Sequence, residues 1–83
     1  MQKQSKEQII QQVNIFLVEK LEFEASALTP DVELKAELGF TSIDVVQTAL
    51  FLKQTYGIEP QMEDVKAIIT LQDLYDYIEQ HQG

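Results

Sequence analysis

The sequence predicts an all-α fold, a small four-helix bundle with three principal helices and one short one. Three observations lead there. Apolar residues recur at three- and four-residue spacing in three separate segments, as helices with one buried stripe require. The chain holds three glycines and two prolines, too few for the turns of an all-β fold. Its 83 residues, 45% hydrophobic and 24% charged, suit a single globular domain over residues 1–83.

The first helix is announced by "SKEQ", where Ser5 can cap and Gln8 can reach back to complete a capping box. Ile9, Ile10, Val13, Phe16, Leu17 and Leu21 follow as one apolar stripe. Residues 22–41 lose that period, and Thr29-Pro30-Asp31 reads as a turn. A connection of about 20 residues is long for a small domain and asks for a topological or functional reason. Leu28, Val32, Leu34 and Leu38 are its expected anchors to the core.

The second helix is expected from Ser42 to Tyr56, with Gly57 ending it. Ile43, Val46, Ala49, Leu50 and Lys53 trace one face of it, and Val45, Phe51 and Leu52 make the remainder unusually apolar. Pro60 opens a short third element holding Met62, Val65 and Ile68. The last helix starts at Thr70, a cap with Asp73 three residues on, and Leu71, Leu74, Tyr75 and Ile78 keep the cleanest helical period in the chain. Ile68-Ile69-Thr70 is β-branched but too short to make a sheet.

Composition excludes several kinds of chemistry. Without cysteine there can be no disulfide, thiolate metal site or cysteine nucleophile. The single histidine, His81, lies near the C-terminal end and reads as a solvated residue, which argues against a histidine-based triad or metal site. A net charge of −8 with six Lys and Arg argues against nucleic acid as a partner. No apolar run approaches the roughly 18–20 residues that span a bilayer, and "MQKQSKEQ" lacks the apolar core of a signal peptide. The expectation is a cytoplasmic protein without a membrane partner. The pairs Asp73/Asp76 and Glu63/Asp64 are read as solvated helix faces rather than catalytic carboxylates.

One stretch remains, "LGFTSID" at residues 38–44. Locally it is an ordinary helix start, with Thr41 as cap, Ser42 at the first helical position and Asp44 shortly after. Gly39 supplies a backbone angle that other residues resist. On these grounds Ser42 could be a capping-region hydroxyl and nothing more, in a small acidic helical adaptor module that binds through an apolar groove.

The order of the motifs favours a second reading. Leu38-Gly39-Phe40-Thr41-Ser42-Ile43-Asp44, then an apolar helix, then Tyr56-Gly57-Ile58, then "AIITLQDLYDYI" to Ile78, resembles the acyl carrier protein family over essentially the whole chain. The resemblance implies an acyl-carrier-type bundle with no catalytic activity. It implies that Ser42 bears 4′-phosphopantetheine, attached by a phosphopantetheinyl transferase from coenzyme A, and that acyl or aminoacyl intermediates ride on the arm as thioesters. Acyl-loading and synthase enzymes are the further partners implied, with the chain itself a monomer. Leu38 and Ile43 are expected to flank the serine on the inner side. Where the family usually has aspartate before the serine, this chain has Thr41, which can still cap but supplies no carboxylate. That departure, with Phe40 beside the serine, points to a dedicated polyketide, nonribosomal peptide or other specialised pathway.

Members of the family often dock through acids on the second helix. Here residues 42–56 carry one acid, Asp44, and one base, Lys53, an electrically neutral segment in an acidic chain. A partner therefore draws little affinity from exposed charge pairs. The expected contacts are apolar, at Phe40, Ile43, Val45 and Ile58, with Thr41, Asp44 and Gln47 completing the docking surface.

Overall fold

A computed structural model describes residues 4–82. Four α-helices follow in order: α1 (Lys6–Glu19), α2 (Ser42–Tyr56), α3 (Met62–Ala67) and α4 (Leu71–His81), with a single 3₁₀ turn, Ala25–Ala27, between α1 and α2. Among the described residues there is no strand, only one isolated antiparallel bridge between Glu33 and Thr70. The expected bundle of three principal helices and a short one is the fold observed.

Each long helix starts on a capping box. Ser5 with Gln8 opens α1, Thr41 with Asp44 opens α2, and Thr70 with Asp73 opens α4. Gly57, at φ 71°, ends α2 in the left-handed conformation, with its N–H reaching back to the carbonyls of Leu52 and Lys53. The third helix starts slightly later than the sequence suggests. Pro60 only precedes it, because Gln61 is the cap and donates its N–H to the Asp64 carboxylate at 3.1 Å. α1 ends without a glycine. Glu22 takes the left-handed turn instead, at φ 63°, and the next N–H, that of Phe23, bonds Leu17 O.

α1 and α4 form the main helix–helix seam. Ile9, Val13 and Leu17 meet Leu71, Leu74, Tyr75 and Ile78, and Leu52, Tyr56 and Ile58 complete the core. Polar ties frame the apolar seam. Lys6 pairs with Asp76 at 2.8 Å, and the Tyr75 hydroxyl donates to Asn14. Gln4 and Gln82 exchange two hydrogen bonds, of 2.8 and 2.9 Å, between the start of α1 and the end of α4.

The long connection earns its length by crossing the bundle. Val32 and Leu34 are buried, and Leu28 and Leu38 pack against the core, as their apolar character predicts. Residues 30–34 run beside the α3–α4 junction. Leu34 N–H bonds Ile69 O, while Val32 O and Pro30 O accept the N–H groups of Leu71 and Gln72. The segment thus satisfies the first amides of α4 before returning to start α2.

α2 corrects one expectation. Ile43, placed by the sequence on the inner side of Ser42, is 66% exposed. The face that turns inward is Val45, Thr48, Ala49, Leu52 and Tyr56, so the 43–46–50 stripe points outward. With apolar residues around most of the helix, periodicity alone could not say which face would be covered. His81, read as a tail residue, closes α4 and stacks on Tyr77 at 4.1 Å.

Candidate functional site

The N-terminal end of α2 is built by the return of the connection. Phe40 N–H bonds Leu34 O at 2.9 Å, fixing the chain just before the helix. Gly39 holds φ 76°, a conformation that a side chain resists, and no atom lies within 4 Å of where a Cβ would stand. Thr41 is extended and caps α2. Its Oγ1 accepts from Asp44 N–H at 3.2 Å, and the Asp44 carboxylate accepts from Thr41 N–H at 3.0 Å.

Ser42 is then the first residue of the helix, and its side chain is exposed. The first i→i−4 bond runs from Val45 N–H to Thr41 O. The amides of Ser42 and Ile43 precede it, and among the described residues no protein group accepts them. Such amides, with the positive end of the helix dipole, favour an anion beside the Ser42 hydroxyl. A phosphodiester on Ser42 Oγ would lie against them with open space over Gly39. The residues present fit a phosphopantetheine attachment.

A cavity of about 50 Å³ opens between α2, α3 and the connection. Leu34 and Phe40 wall it from the connection, Val45, Ala49 and Leu52 from α2, Val65 and Ile68 from the α3 side, and Leu74 from α4. Its one buried hydroxyl, on Thr48, is already spent on Asp44 O at 2.8 Å, and Lys35 adds a charged side chain to an otherwise apolar lining. α3 has no buried residue and is tied to α4 by the Tyr77 hydroxyl, which donates to Asp64 at 3.0 Å. Burial, with the Asp64 carboxylate beside it, pushes the Tyr77 hydroxyl up to about 12, so it remains a donor at neutral pH.

The expected site residues separate into four groups. Thr41, Ser42, Ile43 and Gln47 stand on the surface around the start of α2. Phe40 and Val45 are half-buried and face the cavity, Phe40 also stacking on Phe23 at 5.2 Å. Asp44 is partly buried and occupied by the cap. Ile58 is a correction. At 5% exposed it belongs to the core, since its N–H folds back to Leu52 O after Gly57 and carries the side chain inward. It offers no surface to a partner. Phe23 and the cavity walls from Leu34 and Leu74 escaped the sequence reading, because nothing local marks residues far apart in the chain as neighbours.

The model of one family, described as "Phosphopantetheine attachment site", matches residues 13–78. The chain belongs to that family. Its cofactor is 4′-phosphopantetheine and its function is that of a carrier, which disfavours the unmodified adaptor. Similar curated proteins carry the name acyl carrier protein. One from Rubrobacter xylanophilus is 27% identical over 77 residues, covering 93% of this chain and 95% of its own. Two from Helicobacter pylori strains are 28% and 30% identical over 74 residues, covering 89% of this chain and 95% of theirs. No helix among the described residues is long and apolar enough to cross a membrane.

Proposed function

We propose that Ser42 Oγ is the attachment point and that the chain is an acyl carrier. The observation that carries this reading is the exposed hydroxyl at the first position of α2, beside two amides that no group among the described residues accepts. A phosphopantetheinyl transferase joins Ser42 Oγ to the pantetheine-side phosphorus of coenzyme A. The pyrophosphate bond breaks, the adenosine bisphosphate leaves, and the hydroxyl proton goes to the transferase's base. When bound, the arm supplies the thiol for thioester linkage, which a cysteine-free chain cannot provide itself.

This chain's own residues hold and orient. Thr41 and Asp44 keep the first turn in place, the Ser42 and Ile43 amides favour the phosphodiester, and Gly39 leaves its approach open. The apolar cavity beside them favours an acyl group over an aminoacyl group, whose ammonium would find no acceptor in that lining. On this reading residues 1–83 form one carrier domain that performs no catalysis of its own. It acts in the cytoplasm as a monomer and passes intermediates among loading and synthase enzymes.

Intact mass after incubation with coenzyme A, Mg²⁺ and a broad-specificity transferase tests the assignment. The wild-type chain should gain one phosphopantetheine and Ser42→Ala none. Loading that persists in Ser42→Ala overturns the assignment to Ser42.

A further inference from the structure

One charge breaks the apolar lining of the cavity between α2, α3 and the connection. Lys35 is exposed, yet it lines that cavity beside Leu34 and Phe40. An exposed lysine in such a place lays its methylene stem along the apolar wall and keeps its ammonium at the solvent edge. The chain carries 14 acids, but among the described residues none pairs with Lys35, whereas Lys6 and Lys53 are both paired. Glu33 and Glu37, which flank it in sequence, do not line the cavity, and the Glu37 carboxylate accepts from Glu33 N–H at 2.9 Å. The cavity thus offers one cationic donor and no carboxylate, over an apolar bed.

Resting on the carrier reading of Ser42, we propose that Lys35 selects the carried group, a short acyl chain that ends in a second carboxylate. The methylenes of such a chain cover the lining from Val45, Ala49 and Ile68, and its carboxylate meets the Lys35 ammonium at the edge. A cavity of about 50 Å³ holds roughly three to five water-sized groups, and a methylene is of about that size. A plain fatty acyl chain leaves the ammonium unpaired, and an aminoacyl group brings a like charge towards it. Because the pair stays at the solvent edge, neither ion is stripped of its water. Pairing then favours the seated chain by about fivefold at most.

Two acyl groups of equal length, hexanoyl and adipoyl, separate the charge from the apolar contact. Each is placed on Ser42 from its coenzyme A thioester by a broad-specificity transferase, with wild type, Lys35→Met and Lys35→Arg as carriers. Methionine keeps an unbranched stem without the charge, and arginine keeps the charge. The adipoyl thioester should hydrolyse about threefold faster on Lys35→Met than on wild type, and at the wild-type rate on Lys35→Arg. The hexanoyl thioester should change by less than about 1.5-fold across the three carriers, since it has no charge to pair. On wild type, the adipoyl group should also shift the amide resonances of Val45, Ala49 and Ile68 relative to the unacylated arm. Equal effects of Lys35→Met on both acyl groups overturn the proposal, because the lysine then acts through its stem alone. Unshifted cavity amides overturn it too, with the chain left in solvent and the carrier reading intact. A wild-type chain that gains no mass from either thioester overturns the carrier reading as well.

Discussion

α2 and α4 begin with the same four-residue device, Thr41-Ser42-Ile43-Asp44 and Thr70-Leu71-Gln72-Asp73. In each, a threonine caps the third amide and an aspartate reaches back to the cap's own N–H. What lies over the two first turns is different. At α4 the connection supplies Val32 O to Leu71 N–H at 3.0 Å and Pro30 O to Gln72 N–H at 2.8 Å, and Leu71 itself is fully buried. At α2 nothing among the described residues accepts the equivalent amides, and the first residue is an exposed serine. Capping chemistry starts a helix. Whether that start becomes a structural joint or an open site depends on what the rest of the chain lays across it.

Truncating the first residue of each helix should give the largest contrast. Leu71→Ala should cost about 2–5 kcal/mol, as buried leucine truncations do. Ser42→Ala should cost less than about 0.5 kcal/mol, because its side chain is in water. Urea unfolding of both variants measures the difference, and similar losses would mean that the α2 start is as enclosed as that of α4.

The chain enters the two helices differently, which a glycine substitution exposes. Gly39 stands at φ 76°, whereas Ile68, before α4, is extended. Gly39→Ala should cost about 1–2 kcal/mol for the left-handed backbone alone, since the added Cβ meets open space. A neutral result in the same unfolding assay would show that the turn before α2 relaxes freely.

The acid of the α4 box should show itself on titration. Asp73 accepts from the N–H groups of Thr70 and of Ile69, and these bonds hold its carboxyl below the usual carboxylate range. A depressed folded-state value adds stability above the ordinary carboxylate value and loses it as pH falls through the folded one. Asp73→Asn should therefore lower stability at neutral pH by up to about 1 kcal/mol. It should also flatten the acid limb of the stability curve below about pH 4. An unchanged acid limb would remove Asp73 from the account.

Thr41→Asp should have the smallest effect on folding, within about 0.5 kcal/mol, since both residues cap well. Its readout is loading by a generic transferase, expected to quicken if the carboxylate usual in the family assists modification. Equal rates would show that threonine is no handicap there.

Much of this was legible from local sequence. The three capping boxes, the αL stop at Gly57 and the clean period of α4 all depend on residues within about four positions of one another. So does the placement of Ser42 at the head of α2. The errors have a common cause. Ile43 was turned inward and Ile58 outward because an isoleucine beside a helix end is compatible with either environment. The extra contact at Phe40 was missed because its partner, Phe23, comes from the other end of the connection.

By itself, the sequence determined where the three long helices start and where α2 stops, since caps and turns are settled by short-range hydrogen bonds and backbone preferences. It also carried the order of motifs by which the family is known. Tertiary structure alone decided which side of α2 meets the core, because that helix is apolar around most of its circumference and can bury only one side. It also decided that residues 30–34 satisfy the first turn of α4 and leave that of α2 free. Those carbonyls and amides are brought together by the packing of Val32 and Leu34 into the bundle, an event with no local signal in the chain.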